Sequence, residues 1–225
     1  MATRKSQRIG IWVIAGALTI GTLGGFMVMV LAPKNAASDQ ARYQQLMGEY
    51  QTESTAYQTK VDAQAAKLSE KYFAEFNAYG SKPAAFTAAD VKELKKEDLK
   101  VGDGEAITKD SSFTAYYLGW NPAGKVFDGS IDGVKLKAPL AVTPGGVISG
   151  WTEGVDGMKV GGVRELTIPS DKAYGEAGGG SDDIPANTPL KFIVMIIPTP
   201  ETIAQPTPSQ ELLKLHAQQQ QPQQY

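Results

Sequence analysis

The run Val147-Ile148-Ser149-Gly150-Trp151-Thr152-Glu153-Gly154-Val155 decides how the middle of this chain folds. Residues 151–158, with Glu153 and Val155, read as a single short helix. The surrounding texture differs. From about 87 to 198 glycines are frequent, and short β-branched or aromatic runs alternate with turn signals. Residues 113–118, 140–143, 163–168 and 190–197 read as strands. One helix laid on several antiparallel strands is an α+β layer arrangement.

Outward from this region the chain changes character on both sides. From 38 to about 79 there is no proline and one glycine, Gly48. Tyr43, Met47, Tyr50, Tyr57, Val61, Leu68, Tyr72 and Phe76 recur at helical intervals, with Ser38 or Asp39 able to cap the start. This predicts a helical spacer over 33–86, ended by Ser81-Lys82-Pro83. It is either one helix of about 60 Å or a hairpin broken near Ser54-Thr55. Its apolar stripe packs on the domain or on itself, or pairs with a second copy as a coiled coil. Residues 201–225 turn to Pro, Thr and Gln, a composition that predicts a disordered tail. Leu212, Leu213 and Leu215 would form one amphipathic turn within it.

Before the spacer, 9–32 is 24 residues without a charge. As a helix it would span roughly 36 Å, enough for the ~30 Å hydrocarbon layer. Arg4, Lys5 and Arg8 precede it, which holds residues 1–8 in the cytoplasm and exports everything after Lys34. A cleavable signal peptide would have a shorter apolar run and no proline at once after its small-residue site. The expectation is therefore an uncleaved single-pass anchor, with the bulk of the chain outside the cell membrane. Ala17, Gly21 and Gly25 recur every four residues, as on a close-packing face that two copies could share, although glycine is common in membrane helices in any case.

Composition removes most catalytic chemistry. The 225 residues include no cysteine and one histidine, His216, near the C-terminus. Thiol nucleophiles, redox pairs, zinc fingers, histidine triads and multi-histidine metal sites are out. A net charge of -2 supports no nucleic-acid surface. What remains are carboxylates, hydroxyls, aromatics, backbone amides and pocket shape.

Six motifs follow in order: Ala115-Tyr116-Tyr117-Leu118-Gly119, Val126-Phe127-Asp128-Gly129-Ser130, the 147–155 run, 161–169, Ala173-Tyr174-Gly175-Glu176, and Ile184-Pro185 with Leu190-Lys191-Phe192. Their order and spacing closely resemble the FKBP-type peptidyl-prolyl cis-trans isomerases, in a bacterial, membrane-anchored form. The resemblance covers about 100 residues. It implies an antiparallel sheet wrapped on one short helix over 87–200, and isomerisation of X–Pro bonds without cofactor or metal. Proline-containing polypeptides would be the clients, and a macrolide would fit the same pocket.

The resemblance also assigns roles. Trp151 would floor the pocket, with Tyr117, Phe127, Val147, Ile148 and Phe192 as walls. The Ile148 N–H would donate to the substrate carbonyl following proline, and the Tyr174 hydroxyl to another. Asp128 would give a polar edge beside the twisting amide, and Ile184 a rim contact to the residue before proline. Taken singly, these aromatic and apolar residues read as ordinary core, and Asp128 and Tyr174 as turn formers. This chain departs from many relatives at Leu140 and Val142, which stand where aromatics are common and imply a less aromatic wall. Two other functions stay open: a binding module or holdase gripping proline-containing segments, and an envelope scaffold acting through spacer and tail.

Overall fold

The computed structural model describes residues 36–219. The anchor expected over 9–32 lies outside them. Among the described residues no helix is long and apolar enough to cross a membrane.

Alternation along two long strands organises the sheet. Strand β2 (Phe113–Trp120) is buried at every position, and β8 (Leu190–Ile197) at all but Lys191. Strands buried on both faces need cover on both sides. Phe113, Ala115 and Tyr117 share one face with Leu190, Phe192, Val194 and Ile196. Tyr116, Leu118 and Trp120 share the other with Ile193, Met195 and Ile197. The register pairs Tyr117 with Val194 and Leu118 with Ile193, so a slip of one residue would exchange the two cores.

The remaining strands are β1 (Lys95–Lys100), β3 (Val126–Gly129), β4 (Ile131–Asp132), β5 (Lys135–Leu136), β6 (Leu140–Val142) and β7 (Val163–Ile168). The main sheet runs β1-β7-β8-β2-β3, antiparallel throughout. Strand β6 pairs with the first half of β2 and β3 with the second. Strands β4 and β5 form a separate ribbon. The sequence reading lacked β1 because Lys-Lys-Glu-Asp-Leu-Lys shows no apolar alternation. Such charge is what an exposed sheet edge carries.

Helix α2 (Ser149–Val155) covers the first face, starting two residues earlier than expected. Gly150 and Gly154, one turn apart, set its distance from β7. A Cβ at Gly150 would lie 2.3 Å from Ile168 Cγ2, and one at Gly154 2.6 Å from Leu166 Cδ1. Arg164, 7% exposed, ties the helix end down. It donates to the carbonyls of Gly154 at 2.8 Å and Asp156 at 3.2 Å, and forks onto Asp98 at 2.7 and 3.1 Å. Helix-end carbonyls need such partners, and the bidentate carboxylate balances the buried charge.

The second face is closed by the end of helix α1 (Ala36–Asn77), with Leu68, Tyr72, Phe73 and Phe76 on the sheet. Phe76 is fully buried, its ring 6.0 Å from that of Tyr116. Ser69 Oγ accepts from the Leu136 N–H at 2.8 Å. One short helix thus accounts for one face only. The stripe 68–76 belongs to the same compact unit as the sheet, Ala65–Glu201.

The second unit holds residues 36–64 and 202–219 of the described chain. Here the expected disordered tail is corrected: Gln210–Gln219 is a helix, α3. Ser209 Oγ caps it by accepting from the Leu212 N–H at 3.1 Å. Leu212 and Leu215, one turn apart, pack with Tyr43, Leu46, Met47 and Tyr50. Glu211 takes a bidentate contact from Arg42 at 2.9 and 2.8 Å. The surrounding Gln and Pro diluted that apolar face in any compositional average. Helix α1 has no break at Ser54-Thr55: both hydroxyls donate to carbonyls four residues back, at 2.8 and 2.9 Å. That internal bond lets Ser and Thr sit inside a helix.

Candidate functional site

The first face of the sheet is not filled completely. A small open recess lies there, lined by Leu140, Gly146, Val147, Ile148, Trp151, Tyr174 and Phe192. Trp151, 2% exposed, is its base. The first turn of α2 places this indole against Phe192, centroids 5.4 Å apart at 84°, and against Tyr117 at 5.6 Å and 77°. Phe127 meets Phe192 edge-on at 5.6 Å. Edge-to-face contacts of this kind hold rings in one orientation. Gly119 makes room for them, since a Cβ there would lie 2.6 Å from Phe192 Cε1 and 2.8 Å from Phe127 Cζ. The signal for Gly119 was a glycine within an aromatic run, which marks close approach. Gly146 was missed because a lining glycine offers only backbone.

Two donors face this apolar cup. Ile148 sits just before α2 in an extended conformation, φ -58° and ψ 149°. Among the described residues nothing accepts from its N–H, because helix α2 begins after it. The Tyr174 hydroxyl, on the cavity wall, also has no partner among the described residues. Burial, and then the charge of Asp128, push the Tyr174 phenol above its usual range, so it remains a protonated donor.

Asp128 stands behind the wall. Its Oδ2 accepts from the Tyr117 hydroxyl at 2.6 Å and its Oδ1 from the Gly129 N–H at 2.8 Å. Burial raises the Tyr117 phenol far, with the bond to Asp128 and its charge adding to the shift. Ser130 fixes the same corner: its Oγ accepts from the Tyr117 N–H at 2.9 Å, and its own N–H donates to the Tyr117 carbonyl at 2.8 Å.

The structure gathers the ten residues singled out from the sequence, in two ranks. Leu140, Val147, Ile148, Trp151, Tyr174 and Phe192 line the cavity. Tyr117, Phe127 and Ile184 belong to the hydrophobic cluster around it, and Asp128 is bonded to Tyr117. Val142 does not line the cavity. It is buried against the same cluster, paired with Phe113, and only Leu140 of this strand reaches the wall.

Nothing in the cup pairs a nucleophile with a base. It is a mainly apolar recess with hydrogen-bond donors at its wall, suited to a change of shape rather than of bonding. An X–Pro amide crosses between cis and trans over tens of seconds because rotation breaks amide resonance. The twisted amide is less polar than the planar one, so an apolar recess favours it selectively.

The family model for FKBP-type peptidyl-prolyl cis-trans isomerase matches residues 103–197. An FK506-binding protein of Neisseria meningitidis serogroup A is 44% identical over 103 residues, 45% of this chain and 91% of its own. One from Streptomyces anulatus is 38% identical over 107 residues, 47% of this chain and 85% of its own. A solved peptidyl-prolyl cis-trans isomerase from Pseudomonas syringae is 32% identical, covering 61% of this chain and 94% of its own with a TM-score of 0.42. The matched stretch runs through every strand of the sheet except β1, and through the whole cavity. With the Neisseria relative matched over 91% of its length, this chain belongs to the FKBP-type peptidyl-prolyl cis-trans isomerases, enzymes that turn the bond preceding proline.

Proposed function

We propose that this isomerase is a bacterial, single-pass membrane protein that turns X–Pro bonds of exported polypeptides on the outer side of the cell membrane. The anchor is 9–32, oriented by Arg4, Lys5 and Arg8. Two copies would pair through Ala17, Gly21 and Gly25.

The observation that carries the catalytic reading is the apolar cavity on Trp151 with two unpartnered donors at its wall. The proline ring rests on Trp151 between Leu140, Val147 and Phe192. The Ile148 N–H holds the carbonyl after proline, and Tyr174 a second substrate carbonyl. These bonds fix the chain on one side of the amide while the other side turns. Tyr117 and Phe127 brace the walls. Asp128, held in place by Tyr117, presents its carboxylate field to the amide as its polarity changes. Ile184 on the rim meets the residue before proline. A macrolide would occupy the same cup, as the names of the FK506-binding relatives suggest.

The test uses the full chain in lipid vesicles. It should accelerate cis-trans exchange of a Leu-Pro peptide, and protease added outside intact cells should remove the isomerase domain. No acceleration at micromolar protein would overturn the catalytic reading, and full protection from the protease would overturn the location.

A further inference from the structure

Asn121 follows β2 at the head of the turn into β3 and is 8% exposed. Its Oδ1 accepts from the N–H groups of Ala123 and Lys125, both at 3.1 Å. With the oxygen committed to the turn, the amide nitrogen must face the other way. There it donates to the backbone carbonyl of Asp183 at 2.9 Å. Lys125 adds a second tie, its Nζ 2.6 Å from Asp183 Oδ1.

Asp183 immediately precedes Ile184, which is 6% exposed in the cluster around the cavity. The loop leading to it carries three consecutive glycines, with Gly178 at φ +67° and Gly180 at φ +78°. Such a segment has little stiffness of its own. Its internal bonds are Gly179 N–H to the Ile184 carbonyl at 2.9 Å and Ile184 N–H to the Ser181 carbonyl at 3.1 Å. Among the described residues, the hydrogen bonds that fasten 180–183 to the rest of the domain are those from Asn121 and Lys125. The two differ in weight. An exposed ion pair holds weakly, whereas a buried amide that is satisfied on both ends holds firmly.

We propose that Asn121 is a positioning residue that sets the preference for the residue before proline, by fastening the glycine-rich rim loop to the β2–β3 turn and so fixing Ile184. This rests on the reading of Ile184 as the contact to that residue. Asn121 touches no substrate and acts only through the loop.

Asn121→Asp is the sharpest probe. It keeps the acceptor for Ala123 and Lys125 but turns a second oxygen toward the Asp183 carbonyl. In the full chain, kcat/KM is measured for peptides differing only before proline, Leu-Pro and Ala-Pro. The Leu-Pro to Ala-Pro ratio should shrink about fivefold, with Ala-Pro changed by less than about twofold. Amide hydrogen exchange at 181–184 should quicken. A folded variant that slows both peptides equally, or leaves the ratio and the exchange unchanged, overturns the proposal. A wild-type chain inactive on every peptide would instead overturn the isomerase reading. Should Asn121→Asp fail to fold, Asn121→Ser decides: its hydroxyl oxygen can still accept from the turn but is too short to reach the Asp183 carbonyl, and a folded variant with an unchanged ratio overturns the proposal.

Discussion

The two faces of the sheet are built from alternate residues of the same strands, yet they solve opposite problems. The face toward α2 keeps an opening. Glycines at 119, 150 and 154 let rings and backbone approach closely, and every hydroxyl there is either bonded to a fixed acceptor or left facing the cavity. The face toward α1 is closed by packed side chains. Phe76, Tyr116, Trp120, Ile193 and Met195 fill it to 2% exposure or less. Among the described residues the Tyr116 hydroxyl and Trp120 Nε1, buried there, have no partner. On the open face the unpartnered donors, Ile148 N–H and Tyr174 Oη, lie at the cavity wall, whereas those on the sealed face are enclosed by packing. Both faces bury apolar clusters, but only the open one carries the residues of the site.

If that division holds, the largest effect on folding lies far from the cavity. Phe76→Ala in the full chain should cost about 3–5 kcal/mol, the usual result of emptying a buried aromatic site. Activity per folded molecule should not change. Denaturant unfolding beside kcat/KM checks both. A Phe76→Ala protein of normal stability would mean that α1 merely lies on the sheet and that the domain needs no second cover.

That second cover was one of the partners the sequence left open for the stripe, beside the stripe itself and a second copy. The strands of the cavity face, the short helix and the ten residues that gather at or around the cavity could be read because 147–155 and its neighbours form an ordered set of motifs. The apolar period through Leu68, Tyr72 and Phe76 was equally visible. What could not be decided was which partner it takes: helical spacing shows that a stripe exists but not what covers it, and the proline at 83 suggested a boundary after it. Tyr116 and Trp120 were the missing clue, since a strand apolar on both faces needs two covers. Asn121 escaped for another reason. Its role depends on a carbonyl 62 residues away, which no local pattern contains.

On the open face the next effect should be catalytic. Asp128→Ala should lower kcat/KM by about 10- to 100-fold, or roughly 1.4–2.7 kcal/mol of transition-state stabilisation. Affinity for a proline peptide should stay within about threefold. Equal losses in rate and affinity would show that the carboxylate grips the planar and twisted amides alike, as a clamp does.

A single substitution type can be placed on adjacent residues to set the faces against each other. Tyr117→Phe removes the 2.6 Å bond to Asp128, and should cost about 1.5 kcal/mol as a bond to a charged acceptor. Tyr116→Phe removes an unpartnered hydroxyl, and should be neutral or stabilise by about 0.5 kcal/mol. Thermal or denaturant midpoints give the two signs. A loss at Tyr116 equal to that at Tyr117 would mean its hydroxyl has a partner, a buried water being the simplest, and the contrast between the faces would narrow.

The smallest expected effect is alkaline, and it tests what the faces share. Burial raises the phenols of both Tyr116 and Tyr117 well above the usual value near 10, with the bond to Asp128 adding to the shift at Tyr117. An unfolded tyrosine ionises near pH 10 while these stay protonated in the fold. Because the folded value is the higher one, the stabilisation is complete below pH 10 and drains away above it. At pH 10 each phenol should have given up about 0.4 kcal/mol, half of the unfolded population being ionised. Stability should therefore be level in these groups from pH 7 to 9, and kcat/KM should follow because Tyr174 also keeps its proton. Tyr116→Phe and Tyr117→Phe should each flatten part of the alkaline fall. If only Tyr117→Phe did so, the Asp128 carboxylate rather than burial would be the source of the shift, and the sealed face would be less dry than its packing implies.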